Sequence, residues 1–442
     1  MASSSSPQAL KVLNQCSISP PKGSVPETSI PLSFLDLLWL QAGAVERLFF
    51  YKFSHSTSHF IDHFLPTLKA SLSLTLQHLF LLASRVRSIP DSEHKFDYHF
   101  TEDKGSVPFI LAESEADFDT LSGDQDREFK HLQPLIPSLV SPSGDHSHPL
   151  MALQVTVFPN HGLCLAITIN HVVCDGASSI NFIKSWAATC SSAATTPIIA
   201  APPFYDRTEL HDSKLHSLFL RTLVEDGALI VIENSSTTVD EVIFSTFSLK
   251  TEHVDKLKKF VLDKNEEYHQ PFHCSTFVIV CAYVWTCLVK STGWPHDKTA
   301  YMCFMADARG RLRPALPPGY FGNCLGGCML QMKVAELVNY DGVRKAAEVI
   351  GSKAENWPEL IRELAMEEKV LSVAGSPKFR VYDTDFGWGK PVKVEITSIR
   401  NSLSMAMTES RGNTGGVEIG FAMPKVEMGQ FRAHFIGGLE LL

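Results

Sequence analysis

The sequence predicts a mixed α/β protein made of two halves of similar size. Both halves contain segments with the two-residue alternation of strands and segments with the helical spacing of apolar residues. Between them, residues 191–207 (SSAATTPIIAAPPFYDR) are rich in Ser, Ala and Pro and follow neither period. This segment divides the 442 residues nearly in the middle, so we interpret it as a linker between two domains.

A β-hairpin is the clearest element of the first half. Apolar and polar residues alternate over 153–157, the turn-forming sequence PNHG follows at 159–162, and a second apolar run covers 163–169. The hairpin is expected to end at His171. This histidine would therefore lie where an apolar strand meets a polar turn.

A helix is predicted directly after this hairpin. Apolar residues recur at helical spacing over 180–187, and Ser178 or Ser179 is the expected N-cap. Earlier in the chain, residues 34–53 are predicted to form apolar elements, and the acidic and polar residues 114–130 are expected to form an exposed loop.

The second half is predicted to combine a buried helix with antiparallel strands. The apolar run 277–289 fits a strand or a helix by pattern alone, but its length favours a helix, which Ser275 would cap. Residues 392–396, 403–407 and 417–421 each alternate, with a turn rich in Asn and Gly between the last two. We therefore expect three neighbouring antiparallel strands near the C-terminus.

The composition argues against several classes of function. With 39 Lys and Arg against 48 Asp and Glu, the net charge of −9 argues against a surface for nucleic acids or anionic membranes. The ten cysteines stand without a CxxC pair, so neither a disulfide framework nor a metal site is expected. The N-terminus lacks the apolar core of a secretory signal, and the longest apolar run is too short to span a bilayer. A reduced, cytoplasmic protein is the expectation.

The heptapeptide NHVVCDG at 170–176 holds the strongest candidate for chemistry. A neutral imidazole at His171 suits the removal of a proton from an alcohol near pH 7, although a lone histidine on an apolar strand is more often structural. Asp175 invites a catalytic-dyad interpretation, but an ion pair that fixes the turn is preferred. Gly176 suits a turn conformation that other residues resist, and Cys174 is better explained as a small core residue than as a nucleophile.

Two further segments contain unusual residues. The sequence DFGWGKP at 385–391 begins with the magnesium motif of protein kinases, but the catalytic loop and glycine-rich loop of a kinase are missing. Trp388 within it can donate an N–H or simply pack. The sequence DARGR at 307–311 places two guanidinium groups in an apolar region, where Arg309 either pairs with Asp175 or contacts an anionic ligand.

Together these segments resemble the plant BAHD acyltransferase family over nearly the whole chain. The resemblance rests on HxxxDG at 171–176 combined with DFGWGKP at 385–391; PLSFLDLLW at 31–39 and the segment 275–288 add to it. The sequence YFGNC at 320–324 is similar to the motif of the branch that acylates flavonoid and anthocyanin glycosides.

The resemblance implies the fold of the CoA-dependent acyltransferases. This fold has two similar-sized domains, each a mixed sheet with helices, joined by a long crossover loop with a channel between them. We expect domains at residues 1–195 and 216–442 and the crossover linker at 196–215. The family requires no cofactor or metal beyond its acyl-CoA co-substrate, and its partners are small molecules, so no nucleic-acid partner and a monomeric chain are expected.

The resemblance also implies catalytic roles. His171 is similar to the general base of the family, and Trp388 to an indole suggested to stabilise the tetrahedral intermediate. Asp385 is similar to an architectural residue that is sometimes treated as a second proton acceptor. Asp175 is similar to a residue that points away from the channel and pairs with an arginine, for which Arg309 is the candidate.

For CoA and acyl binding, the resemblance points to Ser275 and Thr276, at a helix N-terminus whose backbone N–H groups favour phosphate. Asp307 and Arg309 are further candidates for contact with the CoA or acyl group.

The implied reaction transfers a malonyl group from malonyl-CoA to a sugar hydroxyl of a flavonoid or isoflavonoid glucoside. Malonyl specificity requires a cation for the free carboxylate. Ala177 and Gln41 occupy positions that are often basic in malonyl-using relatives. The alternative is therefore a hydroxycinnamoyl-CoA transferase that acts on a phenolic or anthocyanin glycoside.

Overall fold

The computed structural model contains two large β-sheets, a small third sheet and the helices that cover them. It describes residues 10–89, 95–139, 149–199, 201–210, 212–225, 242–263, 272–355, 370–401 and 403–441. The prediction of a mixed α/β protein with two domains is confirmed.

The strands are distributed over the three sheets in an order that differs from their order in the chain. They are β1 (Lys11–Ile18), β2 (Thr28–Pro31), β3 (Ala44–Lys52), β4 (Arg85–Ser88), β5 (Phe96–Phe100), β6 (Val107–Glu113), β7 (Arg127–Glu128), β8 (Met151–Phe158), β9 (Gly162–Asn170), β10 (Val242–Leu249), β11 (Thr299–Asp307), β12 (Leu325–Lys333), β13 (Val370–Ala374), β14 (Lys393–Ile396), β15 (Ser404–Glu409) and β16 (Val417–Pro424). The first large sheet has the order β1-β6-β8-β9-β3-β14, and the second has the order β12-β11-β13-β15-β16-β10-β7. Strands β2, β5 and β4 form the small sheet.

The helices pack around these sheets and place their apolar faces on them. They are α1 (Phe34–Leu37), α2 (Thr57–His63), α3 (Leu65–His78), α4 (Phe118–Leu121), α5 (Phe129–Leu132), α6 (Gly176–Ser191), α7 (Ser213–Glu225), α8 (Thr251–Leu262), α9 (Thr276–Thr292), α10 (Val334–Val338), α11 (Gly342–Glu355) and α12 (Lys425–Glu440). Each large sheet has its own apolar cluster, and a third cluster joins residues of both sheets. Within the described ranges, no helix is long and apolar enough to cross a membrane.

The predicted hairpin is formed by β8 and β9, which pair antiparallel from Met151 opposite Ile169 to Phe158 opposite Gly162. Every residue of both strands is buried. This follows from their position inside the first sheet, where β9 lies between β8 and β3 and both faces are covered. The hairpin therefore places His171 immediately after a buried strand.

Helix α6 begins as predicted after this hairpin, but its N-cap is Asp175 and not Ser178 or Ser179. The backbone of Asp175 is extended, and its carboxylate accepts a hydrogen bond from the N–H of Ser178 at 3.0 Å. A carboxylate caps well because it satisfies a free N–H and lies at the positive end of the helix dipole. Gly176 is the first helical residue and its φ is not positive, so the expectation of an unusual turn conformation there is wrong.

Helix α9 confirms the interpretation of the apolar run 277–289. Ser275 is its N-cap, with its hydroxyl accepting from the N–H of Val278, and Gly293 closes its C-terminus with a φ of 61°. All side chains from Val278 to Val289 are buried, as expected for a helix enclosed by the second sheet and its neighbouring helices.

The expectation of three neighbouring C-terminal strands is wrong for one of them. Strands β15 and β16 do pair antiparallel in the second sheet, but β14 pairs with β3 at the edge of the first sheet. In return, β7 of the first half pairs with β10 in the second sheet. Alternation of apolar residues defines a strand but not its partner. Each large sheet thus ends in a strand from the other half of the chain.

The segment 114–130 is not the exposed loop that its acidic composition suggested. It contains α4 and β7, and the side chain of Phe118 is 2% exposed. Arg127 in this segment forms a buried ion pair with Glu395 of β14 at 2.6 Å. The carboxylate of Asp124 pairs with Lys393 at 2.8 Å. These two ion pairs therefore join segment 114–130 of the first half to β14.

The first residue of the predicted linker 191–207 is Ser191, which still belongs to α6, and residues 192–199 and 201–207 form no helix and no extended strand. Near its end, the backbone of Phe204 exchanges hydrogen bonds with Gly319 at 2.8 Å and Phe321 at 3.0 Å. This contact attaches the linker to the YFGNC segment. Residues 200 and 211 of the expected crossover linker lie outside the described residues.

Candidate active site

His171 lies at the end of β9, against an aromatic ring. Its backbone N–H donates to the carbonyl of Gly43 at 3.0 Å. Its imidazole stacks on the indole of Trp39, with ring centroids 3.7 Å apart and ring planes 11° apart. Trp39 lies in the turn after α1, so the PLSFLDLLW segment supplies one wall for the histidine.

The environment keeps His171 neutral near pH 7. Burial lowers the pKa of His171 below its ordinary value of 6.5, against smaller opposing effects from its own carbonyl, Asp175 and Asn323. Desolvation disfavours the charged imidazolium. A neutral imidazole has one nitrogen with a lone pair, as a general base requires.

Asp175 and Arg309 form the ion pair that the sequence suggested. The Oδ2 atom of Asp175 lies 2.9 Å from Nη1 of Arg309 and accepts a hydrogen bond from the N–H of Cys324 at 3.1 Å. The side chain of Asp175 has 0% relative exposure, and that of Arg309 has 9%. The carboxylate therefore acts on the turn and not as a dyad partner in contact with substrate.

Arg309 uses its remaining donors within the same cluster. It donates to Asp307 at 3.1 Å, to the hydroxyl of Ser178 at 3.0 Å and to the carbonyls of Tyr320 and Gly322 at 3.3 Å. Of the two roles considered for Arg309, the ion pair with Asp175 is confirmed. A guanidinium surrounded by these acceptors joins the start of α6 to the YFGNC segment.

Asn323 of the YFGNC segment lies at the centre of a second group of contacts. Its Nδ2 atom is 3.0 Å from the carbonyl oxygen of His171, 2.8 Å from that of Val172 and 3.2 Å from Oδ1 of Asp36. Asp36 in turn accepts from Arg207 at 3.1 Å. The two carboxylates, Asp36 and Asp175, thus fix both ends of the turn that follows β9.

The comparison with known proteins decides the family. Residues 10–436 match the profile of the Transferase family. The chain belongs to the Transferase (BAHD) family. It is therefore an acyl-CoA-dependent acyltransferase, as the HxxxDG and DFGWGKP segments indicated.

Several curated plant proteins are similar over most of their length. The phenolic glucoside malonyltransferase 2 of Arabidopsis thaliana is 37% identical and covers 93% of this chain and 94% of its own. The malonyl-coenzyme A:anthocyanin 3-O-glucoside-6''-O-malonyltransferase of Dahlia pinnata is 33% identical and covers 98% of each chain. The coumaroyl-CoA:anthocyanidin 3-O-glucoside-6''-O-coumaroyltransferase 1 of Arabidopsis thaliana is 32% identical and also covers 98% of each chain.

Solved structures share the fold at lower identity. Vinorine synthase superposes with a TM-score of 0.70 at 20% identity, covering 97% of this chain and 98% of its own. The F. sporotrichioides TRI101 complex with coenzyme A and T-2 has a TM-score of 0.62 at 14% identity, covering 92% of this chain and 97% of its own. These likenesses confirm the predicted fold class.

The DFGWG segment of this BAHD protein lies far from His171. Gly387 is placed against Ser191, where an added Cβ would lie 3.5 Å from Cα of Ser191. Ser191 is the last residue of α6, which has 16 residues and a length of about 24 Å. Since His171 precedes the first turn of α6, the DFGWG segment and the histidine lie at opposite ends of this helix.

The register of β3 and β9 leads to the same conclusion for Trp388. Its ring packs against Tyr51, with centroids 5.9 Å apart. Tyr51 lies opposite Leu163 at the start of β9, whereas His171 follows the end of that strand. Seven residues of strand span about 24 Å. The expectation that Trp388 stabilises the tetrahedral intermediate is therefore wrong, because an indole at this distance cannot contact the reacting carbonyl.

Asp385 has an architectural role in this turn. One oxygen of its carboxylate accepts from the N–H groups of Gly387 at 2.7 Å and Gly389 at 3.0 Å. These two glycines have φ values of 106° and 100°, which side chains rarely adopt. Asp385 lies in the same turn as Trp388 and is therefore too far from His171 to take part in the proton transfer. Its expected catalytic role is corrected to a structural one.

A residue that the sequence did not indicate lies at the start of α6. The ring of Phe379 leaves no space for a side chain at Gly176, because an added Cβ would lie 2.9 Å from two of its atoms. Gly176 is thus required for close packing. Phe379 is thus one aromatic residue that the second half places beside the HxxxDG turn, and Trp388 is not.

The other residues that the sequence singled out occupy different environments. Cys174 is 3% exposed, and burial raises the pKa of its thiol well above the ordinary value, which fits a core residue. Ser275 caps α9 beside the half-buried Thr276. Ala177 lies in the first turn of α6, and Gln41 is exposed near Trp39. In the described part of the chain, no group of three or more His, Cys, Asp or Glu is placed to hold a metal ion.

Proposed function

We propose that this enzyme transfers a malonyl group from malonyl-CoA to a sugar hydroxyl of a flavonoid or isoflavonoid glucoside. The observation that carries the proposal is a neutral imidazole, His171, held by two ion-paired carboxylates at a fixed turn. The similarity to malonyltransferases of phenolic and anthocyanin glucosides supports the choice of donor and acceptor.

In the proposed mechanism, both substrates are bound before any bond changes. His171 removes the proton of the sugar hydroxyl while the hydroxyl oxygen attacks the thioester carbonyl of the donor. The tetrahedral intermediate then expels the CoA thiolate, and the imidazolium returns its proton to that sulfur. The products are the ester and the CoA thiol, and His171 is neutral again. The same side chain therefore accepts the proton and returns it.

We place the substrates between domains at residues 1–195 and 216–442, joined by the crossover linker at 196–215. The CoA phosphates are assigned to the N-terminus of α9 at Ser275 and Thr276, where free N–H groups favour anions. We assign Asp307 and Arg309 to the ion-pair cluster around Asp175 and not to CoA binding, because their charged groups already pair with each other. The proposal treats the protein as a monomeric cytoplasmic enzyme.

The malonyl carboxylate requires a cation that Ala177 and Gln41 do not supply. We assign this role to Lys378, an exposed residue in the short helical turn Pro377–Phe379. Its neighbour Phe379 touches Gly176, one residue before Ala177, so this lysine belongs to the segment that lies beside the start of α6.

A hydroxycinnamoyl-CoA donor is the alternative. The ring of Phe379 at the start of α6 and the uncharged Ala177 favour it, because an aromatic acyl group gains from apolar contacts and needs no cation. The similarity to a coumaroyltransferase supports it as well.

A donor panel tests the proposal. The purified enzyme is given one flavonoid glucoside with malonyl-, acetyl- or coumaroyl-CoA, and the products are identified by mass. We expect the malonyl ester to form fastest and the His171→Ala variant to form none. Turnover of coumaroyl-CoA without malonyl transfer would establish the alternative. Activity of the His171→Ala variant would show that His171 is not the general base. Binding of the donors without turnover of any of them would indicate a ligand-binding protein.

A further inference from the structure

Arg47 of β3 is a buried arginine without a carboxylate partner among the described residues. Four arginines are buried in that part of the chain. Three of them pair with a buried carboxylate at 2.6–3.1 Å: Arg127 with Glu395, Arg207 with Asp36 and Arg309 with Asp175. The fourth, Arg47, is 5% exposed; its guanidinium makes no hydrogen bond or ion pair with a described residue, and its Nε atom is buried without a partner.

This guanidinium carries its charge at neutral pH. Burial lowers the pKa of Arg47 from 12.5 to about 10, which leaves it protonated at pH 7. Buried charges in proteins are ordinarily paired, because a charge taken out of water without a partner is strongly destabilising. The carboxylate of the adjacent Glu46 points to the other face of the strand and pairs with Arg400. A bound anion would supply the partner that the described residues do not.

Arg47 faces the side of the first sheet on which the HxxxDG turn packs. It lies directly opposite Ile167 of β9, so the two side chains share a face. Ile167 belongs to the apolar cluster that includes Val172 and Cys174 of that turn. The charge of Arg47 and the thiol of Cys174 also influence each other's pKa, which agrees with this placement.

The register of the two strands also fixes the separation of Arg47 from His171. Ile167 precedes His171 by four residues, and the N–H of His171 still bonds to the carbonyl of Gly43, just before β3. Four residues of strand span about 13 Å between Cα atoms. The two side chains cover part of this separation, so a short acyl group whose thioester carbon lies at His171 can bring its far end to Arg47.

We propose that Arg47 binds the free carboxylate of the malonyl donor from the buried side of the acyl site. This inference rests on the proposed function, in which malonyl-CoA is the donor and His171 is the general base. A guanidinium matches a carboxylate in shape and charge. The carboxylate has two oxygens, so Arg47 binds it from within the first half while Lys378 approaches it from the exposed side. Acetyl and coumaroyl groups have no carboxylate and leave this charge unpaired, which selects against them.

The Arg47→Met variant tests the proposal through donor selection. Methionine removes the charge and keeps an unbranched side chain. We expect kcat/KM for malonyl-CoA to fall at least about 30-fold, as for the loss of one partner of a buried charge pair, while the value for acetyl-CoA stays the same or rises. Arg47→Lys retains the charge and should keep more malonyl transfer than Arg47→Met. Equal losses for malonyl- and acetyl-CoA in Arg47→Met would overturn the proposal.

Thermal unfolding separates this role from a purely structural one. Because no described residue pairs with Arg47, the Arg47→Met variant should unfold without substrate at a temperature about 2 °C or more above that of the wild type. A structural arginine predicts the reverse, since its loss breaks contacts. Malonyl-CoA should raise the unfolding temperature of the wild type more than acetyl-CoA does, and this difference should vanish in Arg47→Met. A lower unfolding temperature of the variant, or an unchanged difference between the donors, would contradict the assignment.

Arg344→Met is the matched control. The Nε atom of Arg344 is likewise buried without a partner among the described residues, but its Nη2 atom donates to the carbonyl of Phe260 at 2.8 Å within the second half. Its replacement should leave the donor preference unchanged and should not raise the unfolding temperature.

Failure of this inference can be separated from failure of the proposed function. If the wild type transfers malonyl groups and Arg47→Met retains the same donor preference, only the role of Arg47 is wrong. If the wild type forms no malonyl ester, the proposed donor is wrong. The unfolding shifts with malonyl-CoA and acetyl-CoA then still decide whether Arg47 binds a carboxylate.

Discussion

The indole of Trp39 and the imidazole of His171 lie face to face, 3.7 Å apart between ring centroids. The two residues come from distant parts of the first half and meet where β9 ends. A parallel indole stabilises a cation above its face. The stacking therefore has its greatest effect when His171 is protonated during the reaction.

Replacing Trp39 by Leu should lower kcat about 3- to 10-fold, since the lost cation–π contact is worth about 1 kcal/mol. The acid limb of kcat/KM should move to lower pH because the imidazolium loses support. Steady-state kinetics across pH measure both effects. Trp294→Leu is the control, because Trp294 contacts Lys298 between α9 and β11. An unchanged rate in Trp39→Leu would show that the stacking has no catalytic effect.

The Asp175→Asn variant distinguishes a structural ion pair with Arg309 from a catalytic dyad with His171. Removing the charge leaves Arg309 without its main buried partner, which we expect to destabilise the fold by about 3 kcal/mol. Thermal unfolding measures this loss. Below the unfolding temperature, kcat should fall by less than about tenfold, because Asp175 does not assist proton transfer. A loss of several thousandfold in a folded variant would restore the dyad interpretation.

Trp388→Phe should retain most of the activity, because the indole packs about 24 Å from the end of β9 that holds His171. Trp388→Ala should instead lower the free energy of unfolding by about 3 kcal/mol through the cavity it leaves. Chemical denaturation and initial rates of both variants distinguish these effects. A folded Trp388→Phe enzyme with a kcat reduced a hundredfold would contradict the remote placement.

The contact between Gly176 and Phe379 predicts a pair of compensating substitutions. Gly176→Ala brings a methyl group to 2.9 Å from the ring of Phe379, and such overpacking costs about 1–3 kcal/mol. Adding Phe379→Leu should recover much of this loss. A double-mutant cycle measured by thermal unfolding gives the coupling, and additive losses would show that the two residues do not meet.

Lys378→Met tests the proposed carboxylate contact. We expect kcat/KM for malonyl-CoA to fall about fivefold, since an exposed ion pair contributes up to about 1 kcal/mol. The values for acetyl- and coumaroyl-CoA should not change. Lys345→Met, which removes a lysine of α11 that pairs with Asp341, is the control. Equal losses for all three donors would exclude a role in donor selection.

The sequence predicted what depends on local pattern or on a specific motif. The hairpin that ends at His171, the cap of α9 by Ser275 and the pairing of Asp175 with Arg309 were all correct. Periodicity does not determine which strands pair across the chain, so the position of β14 was missed. The contact of Phe379 with the start of α6 also arises between distant segments.

Motifs gave the family but not the location of each residue. DFGWGKP identified the BAHD family, yet Trp388 lies at the far end of α6 from the histidine. The YFGNC segment predicts a branch of the family, and the structure places its Asn323 against the backbone of His171. A motif records that residues occur together in a family, and this does not require them to touch the substrate.

The exchanged strands limit how the two halves can move. Because β14 is hydrogen-bonded to β3 and β7 to β10, a hinge opening between the large sheets would break a ladder on each side. Substrate exchange should therefore depend on loop motion, and either half produced alone would expose an unpaired strand edge that is prone to aggregation.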